Sequence, residues 1–189
     1  MVQSHNCCMS VRYGYTTDIN SLAAAAIRSA TDGDYSHVVV IFHDMYYYES
    51  IWKMENGKTG VRGPIPLKNL LLWAEKSPQH VLKLQEPLKL NAAEVAKAEK
   101  IARESAVNIK YAPIQLLRNE LYLRLGLRLK FGRKASTKRF TCSEFAARIL
   151  PPRLWPNLEI GDVLWDDIVP SGSRGIGLYE RMEFLLNGN

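Results

Sequence analysis

Residues 138–150, KRFTCSEFAARIL, set a single cysteine where a polar turn gives way to an apolar helix. Thr141 and Glu144 stand in the T-x-x-E spacing of a capping box, in which the hydroxyl takes the third helical amide and the carboxylate reaches back. With Thr141 as N-cap, Cys142 is the first helical residue. There the unpaired amides and the helix dipole favour a thiolate, which can attack a carbonyl if a base stands nearby. The same residues also suit a cysteine that is only a small buried hydrophobe, beside a glutamate that only caps.

A thiol nucleophile needs a base, and the chain has four histidines. His5 falls in the first ten residues, expected to form a mobile tail. His80 precedes a strand in SPQHVL, and His43 falls in an expected hairpin turn. His37 opens the apolar strand SHVVVIF, where a polar ring needs a hydrogen-bond partner. A hairpin centred on His43 pairs residue 37 with 49, 39 with 47 and 41 with 45, around a three-residue loop. Directly opposed side chains lie about 5 Å apart on one face, so Glu49 is expected to meet His37, with Tyr47 on the same side. A carboxylate there can fix the imidazole tautomer and stabilise its charged form. An ordinary His–Glu pair at a sheet edge would have the same residues.

VRYGYTT is a short strand. TDINSLAAAAIRSATDG is a helix capped by Thr17 or Asp18 and ended by Gly33. YSHVVVIF is apolar on both faces and is expected to be a central strand, with MYYYESIW as its hairpin partner. GKTGVRGPIP reads as a turn-rich connector, LKNLLLWAEKS as a helix and HVLKLQEP as a strand. NAAEVAKAEKIARESAVN is a helix capped by Asn91, with Glu94 in the capping-box position. Residues 112–131 suit a helix in their first half, yet LYLRLGLRLKF alternates with the period of a strand. NLEIGDVLWDDIVP, at 157–170, is a short strand with turns. Strands and helices mix without regular βαβ alternation, which favours an α+β fold with an antiparallel sheet in one domain over 1–189. Trp73, Trp155 and Trp165 are expected in the core, and Trp52 is a candidate to line the groove.

The composition, 47% hydrophobic and 23% charged over 189 residues, is that of a folded chain able to bury a core without disulfides or metals. No apolar run reaches the length of a membrane span, and the N-terminus has no signal-peptide pattern. With three cysteines, two of them adjacent, a reducing, cytoplasmic setting is expected. The net charge of +6 is concentrated: residues 118–139 carry eight basic residues against one acid, Glu120. That patch could meet an anionic lipid or polymer. Nucleic acid is disfavoured by the absence of zinc-finger or helix-turn-helix spacing. Cys7, Cys8 and His5 lack a fourth metal ligand, so no metal or other cofactor is expected. GSRGIG at 172–177 follows no apolar strand and is not a phosphate loop. Nothing in the sequence fixes the oligomeric state.

Taken in order, GDYSHVVVIF, YYYES twelve residues after the histidine, KYAPIQLL, FTCSEFAARIL and LEIGDVLWDDI resemble the permuted NlpC-type cysteine peptidases. These form the YiiX-like branch of the papain-like superfamily, related to lecithin–retinol acyltransferases. In the unpermuted enzymes the cysteine precedes the histidine, whereas here His37 comes first and Cys142 late. The resemblance runs from about residue 11 to 170. It implies a circularly permuted papain-like fold, with the cysteine helix on an antiparallel sheet. It also implies Cys142 as nucleophile, His37 as general base and Glu49 as the residue that orients the histidine. Tyr111, Tyr47 and Ser36 would then meet the substrate. The chain departs from many relatives at Ala112, where an acid often follows the tyrosine, and in its basic segment. The implied activity is acyl transfer through a thioester on a peptide or small acyl substrate, with amide hydrolysis favoured. A lipid acyltransferase or thioesterase at a membrane surface, and a non-catalytic binding module on the same fold, are the alternatives.

Overall fold

The computed structural model describes residues 9–31, 34–52, 58–111 and 139–151. Their elements, in chain order, are β1 (Val11–Asp18), α1 (Leu22–Thr31), β2 (His37–Phe42), β3 (Tyr46–Ile51), β4 (Gly60–Pro66) and α2 (Leu67–Glu75). β5 (His80–Leu84), α3 (Ala92–Asn108), β6 (Lys110–Tyr111), β7 (Arg139–Phe140) and α4 (Cys142–Ile149) follow. The expected strand at 157–170, Trp155, Trp165, Cys7, Cys8, His5 and the basic residues 118–138 lie outside the described residues.

β1 to β5 form an antiparallel sheet in the order β4-β3-β2-β1-β5. This makes the described part an α+β arrangement. β2 is the middle strand, and residues 38–42 are wholly buried, as a strand apolar on both faces must be. On one face Val38, Val40 and Phe42 join Tyr13, Tyr15 and Tyr48 under Ala98 and Ala102 of α3 and Phe145 and Ile149 of α4. On the other, Val39, Ile41 and Tyr47 pack against Leu67 and Leu70 of α2. Trp73 is partly buried beside this second cluster and stacks on His80 with ring centroids 4.3 Å apart. A separate parallel pair, β6 with β7, leads into α4.

Three expectations need correction. The hairpin is centred on Asp44 rather than His43: Ile41 pairs with Tyr47, and Val39, not His37, stands opposite Glu49. His43 and Asp44 both take left-handed backbone, and the Met45 amide donates to the Phe42 carbonyl across them, so Met45 also stays in the loop. The connector holds a strand, β4, whose prolines are tolerated because it is the sheet's edge. α1 starts at Leu22 with Ser21 as cap, since its hydroxyl accepts the Ala24 amide. Asp18 instead ends β1 and accepts the Asn20 amide.

No helix among the described residues is long and apolar enough to cross a membrane.

Candidate functional site

α4 begins as its spacing predicts. The Glu144 amide donates to Thr141 Oγ1 at 3.3 Å, and the Thr141 amide donates to a Glu144 carboxylate oxygen at 2.7 Å. Cys142 is therefore the first helical residue, it is a free thiol, and it is buried. Phe145 and Ile149 anchor the helix on the sheet, and the Tyr13 hydroxyl donates to the Ala146 carbonyl at 2.8 Å. The Ser50 hydroxyl donates to the Phe140 carbonyl at 3.0 Å, which ties the residues just before the cysteine to the end of β3.

The Cys142 side chain stands close enough to the His37 ring to act on its pKa. Strict strand alternation puts the His37 ring with Val39, while α4 lies over Val38 and Val40. The β2–β3 ladder ends before it reaches the ring: its last pair is Val39 with Glu49, two residues short of His37. The ring's Nε2 lies 2.7 Å from Glu49 Oε2. This contact is diagonal rather than directly across, and a glutamate is long enough to span it. Burial alone would lower the His37 pKa. The hydrogen bonds and charges of Cys142 and Glu49 outweigh it and raise the value to about 10. Burial likewise pushes the Glu49 carboxyl up, but the hydrogen bond and charge of His37, together with the Arg62 guanidinium, hold it below the usual carboxylate range.

Tyr111 is buried, and its ring centroid lies 5.9 Å from that of Trp52, which is 56% exposed. Burial and the charges of Cys142 and Glu144 raise the Tyr111 pKa, which places the phenol in the electrostatic neighbourhood of the thiol. Tyr47 is buried beside Glu49 among the residues under α2, and burial with the Glu49 charge pushes its phenol up to about 12. The Ser36 hydroxyl is buried and turned to β1, 3.0 Å from Thr17 Oγ1 and 3.4 Å from the Thr16 carbonyl. Cys142, His37, Glu49 and Tyr111 are thus gathered; Tyr47 reaches the group through Glu49, and Ser36 faces its own strand neighbour.

Sequence reasoning missed Arg62, whose Nε donates to Glu49 Oε1 at 2.8 Å while its Nη2 forms an ion pair with the same oxygen at 2.6 Å. One signal was available: a lone arginine beside Val61 in a stretch otherwise made of glycine, proline and apolar residues.

Among the described residues no three His, Cys, Asp or Glu side chains are gathered as a metal site. The chain matches no family model, no curated protein and no solved structure.

Proposed function

We propose that this chain is a cysteine hydrolase that cleaves an amide through an acyl-thioester, with Cys142 as nucleophile, His37 as general acid–base and Glu49 as the group that orients His37. The observation that carries this reading is the chain of contacts from the capped start of α4. The Cys142 side chain acts electrostatically on an imidazole whose ring nitrogen lies 2.7 Å from a buried carboxylate. The order of the groups along the chain, histidine on a central antiparallel strand and cysteine on a later helix lying on that sheet, supports a permuted papain-like arrangement.

In the first step the Cys142 thiolate attacks the carbonyl carbon, a C–S bond forms, and the carbonyl π pair moves to oxygen. First-turn amides of α4 are the nearest class of donor for that oxyanion. Collapse breaks the C–N bond, and His37 gives its proton to the departing amine. Water then attacks the thioester while His37 takes its proton. The C–S bond breaks, and the thiolate and the protonated imidazole are restored. Glu49 keeps its charge throughout and holds the ring in place.

Replacing Cys142 with alanine should abolish both turnover of peptide amides and labelling by a thiol-directed acylating probe at this position. Residual turnover at the wild-type rate in the C142A protein would refute the reading. Profiling the wild type on peptide amides beside lipid esters tests the choice of amide.

A further inference from the structure

The stretch with no apparent chemistry in the sequence, VRGP, supplies a fourth member of the site. We infer that Arg62 is a positioning residue for the Cys142–His37 pair, delivered by an irregularity in β4, and that it keeps Glu49 charged and aimed at His37. This inference rests on the hydrolase reading.

Two observations carry it. The first is the division of labour on the carboxylate. Arg62 takes Oε1 with both Nε and Nη2, while Oε2 is left for His37 at 2.7 Å. A guanidinium offers its donors in a rigid fork, so this contact pins Oε1 and favours its charge, and with His37 on Oε2 the two contacts together hold the carboxyl torsion. Glu49 is buried to all but 7% of its side chain. A buried carboxylate that lost this partner could recover by turning away or by taking up a proton. Either change removes the acceptor that holds the His37 ring.

The second observation is how the arginine comes to be there. Tyr47 pairs with Ile65, and an uninterrupted ladder would put Gly63 opposite Glu49. A register shift between Tyr47 and Glu49 brings Arg62 there instead. Gly63 makes the shift feasible. Its φ is +144°, and a Cβ on it would stand 2.4 Å from the Tyr48 ring and 2.8 Å from the Tyr47 carbonyl oxygen. Bulges of this kind re-aim a side chain at the cost of ladder regularity. Here the re-aimed side chain is the one that grips the orienting carboxylate.

The test uses the full chain and iodoacetamide, whose carbon is attacked by the Cys142 sulfur as the C–I bond breaks and iodide leaves with the electron pair. Labelling at Cys142 is followed by peptide mapping from pH 4 to pH 9, alongside thermal melts, for wild type, R62M and R62K. In wild type, labelling proceeds well below pH 8.5, the ordinary range of a free thiol. R62M should slow it at neutral pH by about 10-fold or more, as when a residue that orients a functional ligand is removed. Its labelling midpoint should move to higher pH, because a poorly held imidazole stabilises the thiolate less. R62K, which keeps the charge without the fork, should fall between the two. The inference is overturned if R62M labels with the wild-type rate and midpoint. It is also overturned if its loss only tracks the unfolded fraction, with the midpoint unmoved. A wild-type thiol inert below pH 8.5 would instead refute the hydrolase reading itself, and this inference with it.

Discussion

Among the described residues two clusters share the same three residue types, and they lie toward opposite ends of the β2–β3 hairpin. Near the start of β2, His37 meets Glu49 at 2.7 Å, and Glu49 is gripped by Arg62. At the turn, His43 meets Glu99 of α3 at 3.4 Å, and Glu99 also accepts from Arg103 and from the Tyr46 hydroxyl, each at 2.6 Å. The differences are in what each group has left over. Glu49 is almost wholly buried, whereas the Glu99 side chain is 19% exposed and the Arg103 side chain 70% exposed. Cys142 acts on the His37 ring, whereas His43 Nδ1 is buried with no hydrogen-bond partner among the described residues. Glu99 is held below the usual carboxylate range chiefly by the Tyr46 hydroxyl, Glu49 by the His37 imidazole and by Arg62. A His–Glu–Arg set is therefore no signature of chemistry. What separates the two is the thiol of Cys142 beside one ring, the group to which the proposed function gives the role of nucleophile.

The comparison can be broken most directly at the two histidines. His37→Asn should slow Cys142 labelling and amide turnover on the order of 10²–10⁴-fold, the usual contribution of a positioned acid–base. His43→Asn should leave the labelling rate within about twofold while altering the melting temperature. Equal losses in both would erase the distinction.

A smaller effect is expected at the carboxylates. Glu49→Gln should reduce labelling about 10- to 100-fold, since the ring keeps a neighbour but loses its charge. Glu99→Gln should instead lower stability by about 1–2 kcal/mol through the weakened bond from Tyr46, read by urea denaturation, with labelling unchanged.

The smallest effect, and the sharpest, is the pH dependence of stability. His37 binds its proton more tightly folded than unfolded, because its pKa rises from 6.5 to about 10. Its stabilising contribution is present below pH 6.5 and is lost as pH climbs toward 10. Glu49 has the opposite sign: its lowered pKa stabilises above the ordinary value of 4.5, and that contribution is lost as pH falls through the depressed value. Urea midpoints across pH should show the wild type's advantage over H37N shrinking on the alkaline side and its advantage over E49Q shrinking on the acid side.

Much of this was legible in the chain itself, for identifiable reasons. Both capping boxes, Asn91 with Glu94 and Thr141 with Glu144, were readable because a cap is decided within four residues. The middle position of β2 followed from its unbroken apolar run. The hairpin register did not, because it depends on His43 and Asp44 both turning left-handed, which no pattern of hydrophobicity encodes. Glu49 still reached His37, since moving a facing pair by two residues keeps it on one side of the sheet. Arg62 stayed hidden because glycine and proline around it suggested a turn, whereas an edge strand accepts both.

The sheet order has a last consequence, for when reactivity appears. The imidazole, the carboxylate and the guanidinium come from β2, β3 and β4, consecutive strands within 26 residues of one another, from His37 to Arg62. The sulfur comes from residue 142, across a far longer loop. Short loops close cheaply and early, while long ones carry a larger entropic cost and close late. On the proposed function, the groups that would activate the thiol are thus assembled locally, and the thiol would become potent only when distant chain docks. A half-folded molecule would then carry an ordinary, sluggish cysteine, and reactivity at Cys142 would itself report that folding is complete.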